Sequence, residues 1–197
     1  MRLGDLIALV TFVAVGSGSP GPNNTLLLAS GITFGFRRTL PHVVGTFVGI
    51  GVLVTICAAG VGVAFATVPN AQLALKIVGS AYLVYLAIRL AAGHAISHAT
   101  LSKPLSVLQA AAFQFMNPKG WVFALAVVSA FATEGGWTVP RVALLDAVIA
   151  VVVAMTAIVW AGGGAALSRA LDAERTRRVV GLGLAVLMIS SIAFLWI

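Results

Sequence analysis

Long apolar segments fill most of this chain, and they constrain its fold more than any other feature. Hydrophobic residues make up 60% of the 197 positions and charged residues only 9%. Soluble domains carry charged residues at about a quarter of their positions, so a soluble globular fold is excluded. Because a membrane-crossing helix needs about 20 apolar residues, we predict an all-α integral membrane protein with six transmembrane helices. The predicted spans run roughly over residues 5–32, 41–66, 73–92, 106–132, 140–166 and 178–197.

Proline and asparagine interrupt two of these spans, the first and the fourth. The interruptions are Pro20-Gly21-Pro22-Asn23-Asn24 and Asn117-Pro118-Lys119. A proline removes a backbone donor and crowds the preceding turn, which leaves carbonyl groups unpaired. Inside a membrane, unpaired backbone is tolerated only where it faces protein or a water-filled cavity. The breaks therefore indicate a cavity, with a proline kink capped by asparagine amides as the purely structural alternative.

The two halves of the chain resemble each other, which predicts a repeat. Thr39-Leu40-Pro41 matches Thr138-Val139-Pro140, and Ile77-Val78-Gly79 matches Val179-Val180-Gly181. Each pair, like the two breaks, is about 100 residues apart. Three spans in each half require the halves to be inverted across the membrane. We predict one transmembrane domain over residues 1–197, an inverted 3+3 repeat of about 1–98 and 99–197, with broken first and fourth helices.

Polar side chains beside the breaks are the candidate substrate-binding residues. Lys119 lies midway along its span, where an ionised lysine costs roughly 2.5 kcal/mol or more unless it is paired or hydrated. We expect Lys119 to face an aqueous pathway and to pair with a substrate carboxylate. The candidate binding residues are Asn23, Asn24, Gln114, Asn117 and Lys119, and the helix-breaking residues are Pro20, Gly21, Pro22 and Pro118.

Other polar residues leave alternatives open. Asp146 is a candidate for proton coupling or for an interfacial pair with Arg141, whereas the role of His42, placed at the cytoplasmic end of the second span, is ambiguous. His94 and His98 have metal-like spacing but no third ligand nearby, so no metal or other cofactor is predicted. The Gly45-x-x-x-Gly49 motif suits helix packing inside the chain or in a homodimer.

The net charge of +7 raises the question of a nucleic-acid partner. The basic residues are dispersed among loops and form no face with interleaved aromatics, so nucleic acid is excluded as a partner. Cytoplasmic loops facing anionic membrane lipid explain the charge better. The sequence contains no G-x-S-x-G, H-E-x-x-H, P-loop or C-x-x-C motif, which argues against an enzyme. A transporter is favoured, with a passive channel or a non-transporting membrane scaffold as alternatives.

Several of these motifs resemble the LysE/RhtB family of amino-acid exporters over the whole chain. Residues 20–24, followed by Gly35-Phe36-Arg37, are similar to the family's PGPN signature, and residues 114–119 to its NPK signature. Gly79-Ser80-Ala81-Tyr82-Leu83 resembles the GAAYL stretch, while Lys103-Pro104 and Phe113-Gln114-Phe115 are most similar to the cysteine and O-acetylserine exporter branch. The resemblance implies a secondary exporter of small amino acids or their derivatives, driven by proton exchange in a bacterial inner membrane.

Basic residues are distributed unevenly between the loops, and this bias predicts the topology. The odd-numbered loops hold Arg37, Arg38, Arg89, Lys103, Arg169, Arg175, Arg177 and Arg178, against Arg2, Lys76 and Arg141 on the other side. By the positive-inside rule the odd loops face the cytoplasm and both termini face outward. Reporter fusions after Ala173 should therefore report the cytoplasm, and fusions after Gly135 and Ile197 the outside. A cytoplasmic carboxyl terminus would contradict the six-span count or its orientation.

Overall fold

The computed structural model describes residues 3–60, 67–91, 103–131, 138–168 and 174–196, and the regular secondary structure of these residues is α-helical. No strand occurs within these ranges. The helices are α1 (Leu3–Gly18), α2 (Pro22–Phe34), α3 (Phe36–Ala58), α4 (Pro69–Ala91), α5 (Val107–Met116), α6 (Pro118–Ala130), α7 (Val139–Ser168) and α8 (Glu174–Trp196). The all-α prediction is thereby confirmed.

Several of these helices are suited to a membrane. Within the described residues, α3, α7 and residues 73–91 of α4 are long and apolar enough to cross a bilayer. Helices α1 and α2 meet at a bend of 64° and make a fourth such segment if they form one span. Helices α5 and α6 are apolar but shorter, as is the segment 178–193 of α8.

Both interruptions of the helices lie where proline and asparagine occur in the sequence. Helix α1 ends at Gly18 and α2 begins at Pro22, while α5 ends at Met116 and α6 begins at Pro118. Each proline occupies the first helical position, where its missing N–H and fixed φ cost nothing. Asn117 separates α5 from α6, and its side-chain oxygen accepts from the backbone N–H of Lys119 at 3.2 Å.

Helices α3 and α7 form the centre of the bundle. Helix α7 packs against α1, α2 and α3, and α3 also packs against α5 and α6. Apolar side chains from these helices form the largest buried cluster, which includes Leu9, Leu53, Val127, Ile149 and Val153. Helices α4 and α8 pair with each other; α8 also contacts α2, and α4 contacts α5 and α6. The two breaks are thus enclosed by packed helices.

Glycines allow two of these helix pairs to approach closely. A Cβ at Gly31 of α2 would clash with the Ala161 carbonyl of α7, and one at Gly164 of α7 would clash with the Leu28 carbonyl of α2. Gly45 and Gly49 of α3 meet the backbone of α5 in the same way. The Gly45-x-x-x-Gly49 motif therefore packs inside the chain.

Neighbouring glycines of α7 provide a matched test of this close approach. Gly164→Ala should lower the unfolding temperature of the purified protein, because its Cβ meets the rigid backbone of α2 and overpacking typically costs about 1–3 kcal/mol. Gly163→Ala should be neutral or stabilising by up to about 1 kcal/mol, because alanine favours helix. The nearest atom to that Cβ is a Leu28 methyl at 3.9 Å. Equal unfolding temperatures for the two variants would contradict the packing described.

Candidate functional site

Three side chains and one backbone amide satisfy the carbonyl groups at the end of α1, where the first break begins. The last four carbonyls of an α-helix have no partner within the helix, and at membrane depth each needs one. Here the partners come from the break itself and from α2 and α7. The donors are Ser19 N to Val15 O (3.0 Å), Ser19 Oγ to Gly16 O (2.9 Å), Asn24 Nδ2 to Ser17 O (2.6 Å) and Trp160 Nε1 to Gly18 O (3.1 Å). The end of α1 is therefore a defined, hydrogen-bonded structure.

Lys119 connects the second break to the first. Its ammonium group donates to Ser19 Oγ at 2.8 Å, to Ser19 O at 2.9 Å and to Pro20 O at 3.3 Å. Gly21 makes room for this side chain, because a Cβ there would lie 2.9 Å from both Cδ and Nζ of Lys119. Its φ of 176° is extended backbone that any residue adopts, so glycine is favoured here by the space it leaves for this position of the lysine. The ammonium group of α6 is thus hydrogen-bonded to the oxygen atoms of the break that follows α1.

Amide side chains form a second polar cluster beside the lysine. Asn23 Oδ1 accepts from Gln114 Nε2 at 2.9 Å and from Thr46 Oγ1 at 3.2 Å. Asn23 Nδ2 lies 3.5 Å from Asn24 Oδ1, so the cluster continues to the amide that holds the end of α1. These bonds join α2, α3 and α5 through buried side chains.

Two cavities adjoin these polar groups. The inner cavity, of about 50 Å³, is lined by Gly16, Ser17, Gly21, Asn23, Asn24, Thr46, Ile50, Gln114, Asn117, Lys119, Gly120, Phe123, Val153, Thr156 and Ala157. The outer cavity, of about 320 Å³, is lined by Ser19, Pro20, Pro22, Leu83, Asn117, Pro118, Lys119, Val122 and Ser191. A buried water needs about 10–15 Å³, so the inner cavity suits a few waters. The outer one falls in the range of small-molecule sites, roughly 300–1,000 Å³.

The structure brings the five candidate binding residues together. Asn23, Asn24, Gln114, Asn117 and Lys119 all line the inner cavity, and the last two also line the outer one. The helix-breaking residues line them as well, Gly21 the inner cavity and Pro20, Pro22 and Pro118 the outer one. That these residues bind substrate stays a prediction, and the geometry makes it a concrete one.

Asp146 lies apart from this group. It precedes the cavity-lining Thr156 by ten residues of α7, or about 15 Å along the helix. Its Oδ2 accepts from Thr55 Oγ1 at 2.5 Å, and its Oδ1 is buried with no hydrogen-bond partner in the described part of the chain. A separate cavity of about 370 Å³ between α3 and α7 adjoins it. The structure therefore places Asp146 with α3 instead of beside the breaks.

Several residues of the site were missed from the sequence. Ser19 supplies two acceptors to Lys119, Thr46 donates to Asn23, and Thr156 Oγ1 donates to Ser17 Oγ at 3.0 Å. Thr156 is an isolated polar residue in an apolar stretch of α7, and that isolation is the signal that could have identified it. Isolated hydroxyl side chains in membrane helices often bond to neighbouring helices.

The expectation for His42 was also wrong. Its expected place was the cytoplasmic surface, but its side chain is 1% exposed, and neither ring nitrogen has a hydrogen-bond partner among the described residues. His94 and His98 lie outside the described residues. Among the residues that the structure describes, no three His, Cys, Asp or Glu side chains are grouped to hold a metal ion.

Comparison with known proteins identifies the family. The model of the LysE type translocator matches residues 14–196. A cysteine/O-acetylserine efflux protein of Escherichia coli O139:H28 (strain E24377A / ETEC) is 28% identical over 185 residues, covering 93% of each chain. Proteins of the same name from Escherichia coli (strain K12) and Shigella flexneri serotype 5b (strain 8401) are 28% identical over 160 residues, covering 81% of this chain and 82% of theirs. No solved structure matches significantly. The chain belongs to the LysE type translocator family.

Proposed function

We propose that this protein is a secondary exporter that moves small amino acids or their derivatives out of the bacterial cytoplasm across the inner membrane. The observation that carries the proposal is the Lys119 ammonium group bound to backbone oxygens of the opposite helix break, between two cavities. The names of the relatives, cysteine/O-acetylserine efflux proteins, support the same substrate class. The helix ends at the two breaks, together with the amide side chains beside Lys119, suit recognition of a small zwitterion.

We propose six spans arranged as an inverted 3+3 repeat, with halves of about 1–98 and 99–197. The packing of the helices supports this arrangement. Exchanging α1, α2, α3 and α4 for α5, α6, α7 and α8 converts the contact α2–α7 into α6–α3, α1–α7 into α5–α3, and α2–α8 into α6–α4. All of these contacts are present, and the pairs α3–α7 and α4–α8 exchange with themselves. The half-helices α2 and α6 then correspond, each beginning with proline at a break.

A zwitterionic amino acid has the two charges that this site can accept. Lys119 holds the oxygens of Ser19 and Pro20 that a substrate ammonium group would use. When substrate binds, its ammonium group takes these carbonyls, and Lys119 turns to its carboxylate. Helix α2 begins at the site with no side-chain cap from its N-cap residue Gly21, so its positive end also favours the carboxylate. In the absence of substrate, the lysine therefore binds the carbonyl groups that the substrate ammonium group takes when it enters.

The outer cavity supplies the room for the substrate side chain. Leu83, Val122 and Ser191 line it away from the breaks, which makes its wall mostly apolar with one hydroxyl group. A short, partly polar side chain fits this wall better than a charged one. Small amino acids and their neutral derivatives are therefore the proposed cargo.

Export requires that the site open to each side in turn. Lys119, which holds Ser19 and Pro20, lines both cavities, so we expect that breaking this contact connects them. Rocking of one three-helix repeat against the other is the expected motion for such a fold. Proton exchange is the proposed driving force, and Asp146 is one candidate carrier because its Oδ1 is buried without a partner in the described part of the chain.

Replacing the lysine tests its role in substrate binding. Lys119→Met keeps much of the side-chain length but removes the ammonium group that would pair with the carboxylate. Hydrogen bonds to charged groups contribute about 1.5–3 kcal/mol, so export should fall about ten- to a hundredfold. The measurement is counterflow of labelled O-acetyl-L-serine in proteoliposomes that contain equal amounts of protein.

Lys103→Met is the matched control, because Lys103 is exposed before α5 and is expected to leave transport unchanged. Counterflow at the wild-type rate in Lys119→Met would show that the lysine is structural and that the carboxylate binds elsewhere. Flux through the wild-type protein that neither saturates nor shows counterflow would favour the passive channel instead.

A further inference from the structure

Three polar side chains form a buried row along one side of α3. Thr39, His42 and Thr46 follow one another at helical spacing and are 0%, 1% and 3% exposed. Thr39 Oγ1 shares a hydrogen bond of 2.9 Å with Ser30 of α2, and Thr46 donates to Asn23. Buried polar rows are rare inside membranes, because each group needs a partner there. The row therefore requires a functional or structural reason.

His42 is the member of the row without partners. A neutral imidazole carries one donor and one acceptor, and a charged one carries two donors. In the part of the chain that the structure describes, neither nitrogen bonds to any group. Buried side-chain polar atoms are satisfied in the large majority of cases, and ionisable residues within membrane segments commonly mark proton or ion pathways. A histidine kept in this position is suited to gaining and losing a proton during a conformational cycle.

The position of His42 joins the substrate site to one end of α3. Thr46 lies one helical turn further on and lines the inner cavity, and its single hydroxyl hydrogen is shared between Asn23 Oδ1 at 3.2 Å and the His42 carbonyl at 2.9 Å. One turn in the other direction lies Arg38, which is exposed at the end of α3 that the loop charges assign to the cytoplasm. The imidazole is therefore between the inner cavity and the predicted cytoplasmic surface.

No described counter-ion holds His42 in one charge state. Helices α2, α5, α6 and α7 pack against α3, and the first two contain no ionisable residue. On α6, Lys119 bonds to Ser19 and Pro20, and on α7, Asp146 bonds to Thr55, about 20 Å along α3 from His42. The remaining ionisable residues on or beside these elements are Arg37, Arg38 and Lys103, all exposed, with buried Cys57 near the far end of α3 and Arg141 in the first turn of α7.

We propose that His42 binds the proton exchanged for substrate. The inference rests on the proposed export function and adds the coupling site to it. An imidazole nitrogen takes up one proton when the substrate site opens to the outside of the membrane and substrate leaves. It releases that proton when the site opens to the cytoplasm and the next substrate enters. Only an N–H bond forms and breaks, and the gradient supplies the proton.

Two assays of the full-length protein in proteoliposomes test this coupling. In His42→Gln, exchange of labelled O-acetyl-L-serine without a pH gradient should stay within about twofold of wild type. Accumulation driven by a pH gradient should fall at least tenfold. Asp146→Asn, assayed in parallel, tests the other candidate carrier, and Lys103→Met, at an exposed position before α5, should keep both activities. Driven accumulation at the wild-type level in His42→Gln, or its loss only in Asp146→Asn, would overturn the proposal. Absence of exchange in the wild-type protein would instead contradict the export function.

A second measurement keeps position 42 intact and decides the question if His42→Gln loses both activities. Replacing His94 and His98 by glutamine leaves His42 as the single histidine, whose imidazole can be titrated by NMR in the purified protein. Saturating O-acetyl-L-serine should shift the titration midpoint by at least one pH unit, since linkage between proton and substrate is reciprocal. A midpoint that is unchanged by substrate would overturn the proposal.

Discussion

The ammonium group of Lys119 bound to the oxygens of Ser19 and Pro20 is the interaction on which the rest of this structure depends. It joins a half-helix from one part of the chain to the end of a half-helix from another. The charge needs these oxygens because an unpaired lysine is costly in a membrane. The oxygens are available because the prolines and glycine of the first break keep α1 and α2 from forming one helix. Break and lysine therefore stabilise each other.

Tight packing around the breaks limits how the site can change. Glycines bring the backbones of α2 and α7, and of α3 and α5, into direct contact, so these pairs leave little room for gradual deformation. The polar contacts at the breaks are different, since a lysine side chain can turn without moving a helix axis. A rearrangement that opens either cavity is therefore expected to exchange hydrogen-bond partners at the breaks while packed helix pairs move as units.

The sequence predicted those parts of the site that follow from local chemistry. Proline at positions 20, 22 and 118 fixes where the helices end, and Asn117 is a favourable cap, so both breaks could be located in advance. The direction in which a side chain faces depends on how its helix is rotated in the bundle, and this could not be predicted from the sequence. His42 was expected at the surface but its side chain is buried, and the contact of Asp146 with Thr55 of α3 could not be read from the sequence. The partners of Lys119 also required tertiary structure, because Ser19 is about 100 residues away in the chain.

Equilibrium binding of labelled O-acetyl-L-serine to the purified protein tests most directly whether the open break forms the substrate site. Replacing Pro20 and Pro22 together by alanine restores two amide donors and lets α1 and α2 join, which would withdraw the carbonyls from the substrate. This variant should lose at least tenfold in affinity, and Asn23→Ala, which leaves the break in place, should lose less. Normal binding by the double variant with impaired transport would contradict the account, since the prolines would then serve as a hinge and the substrate would bind elsewhere.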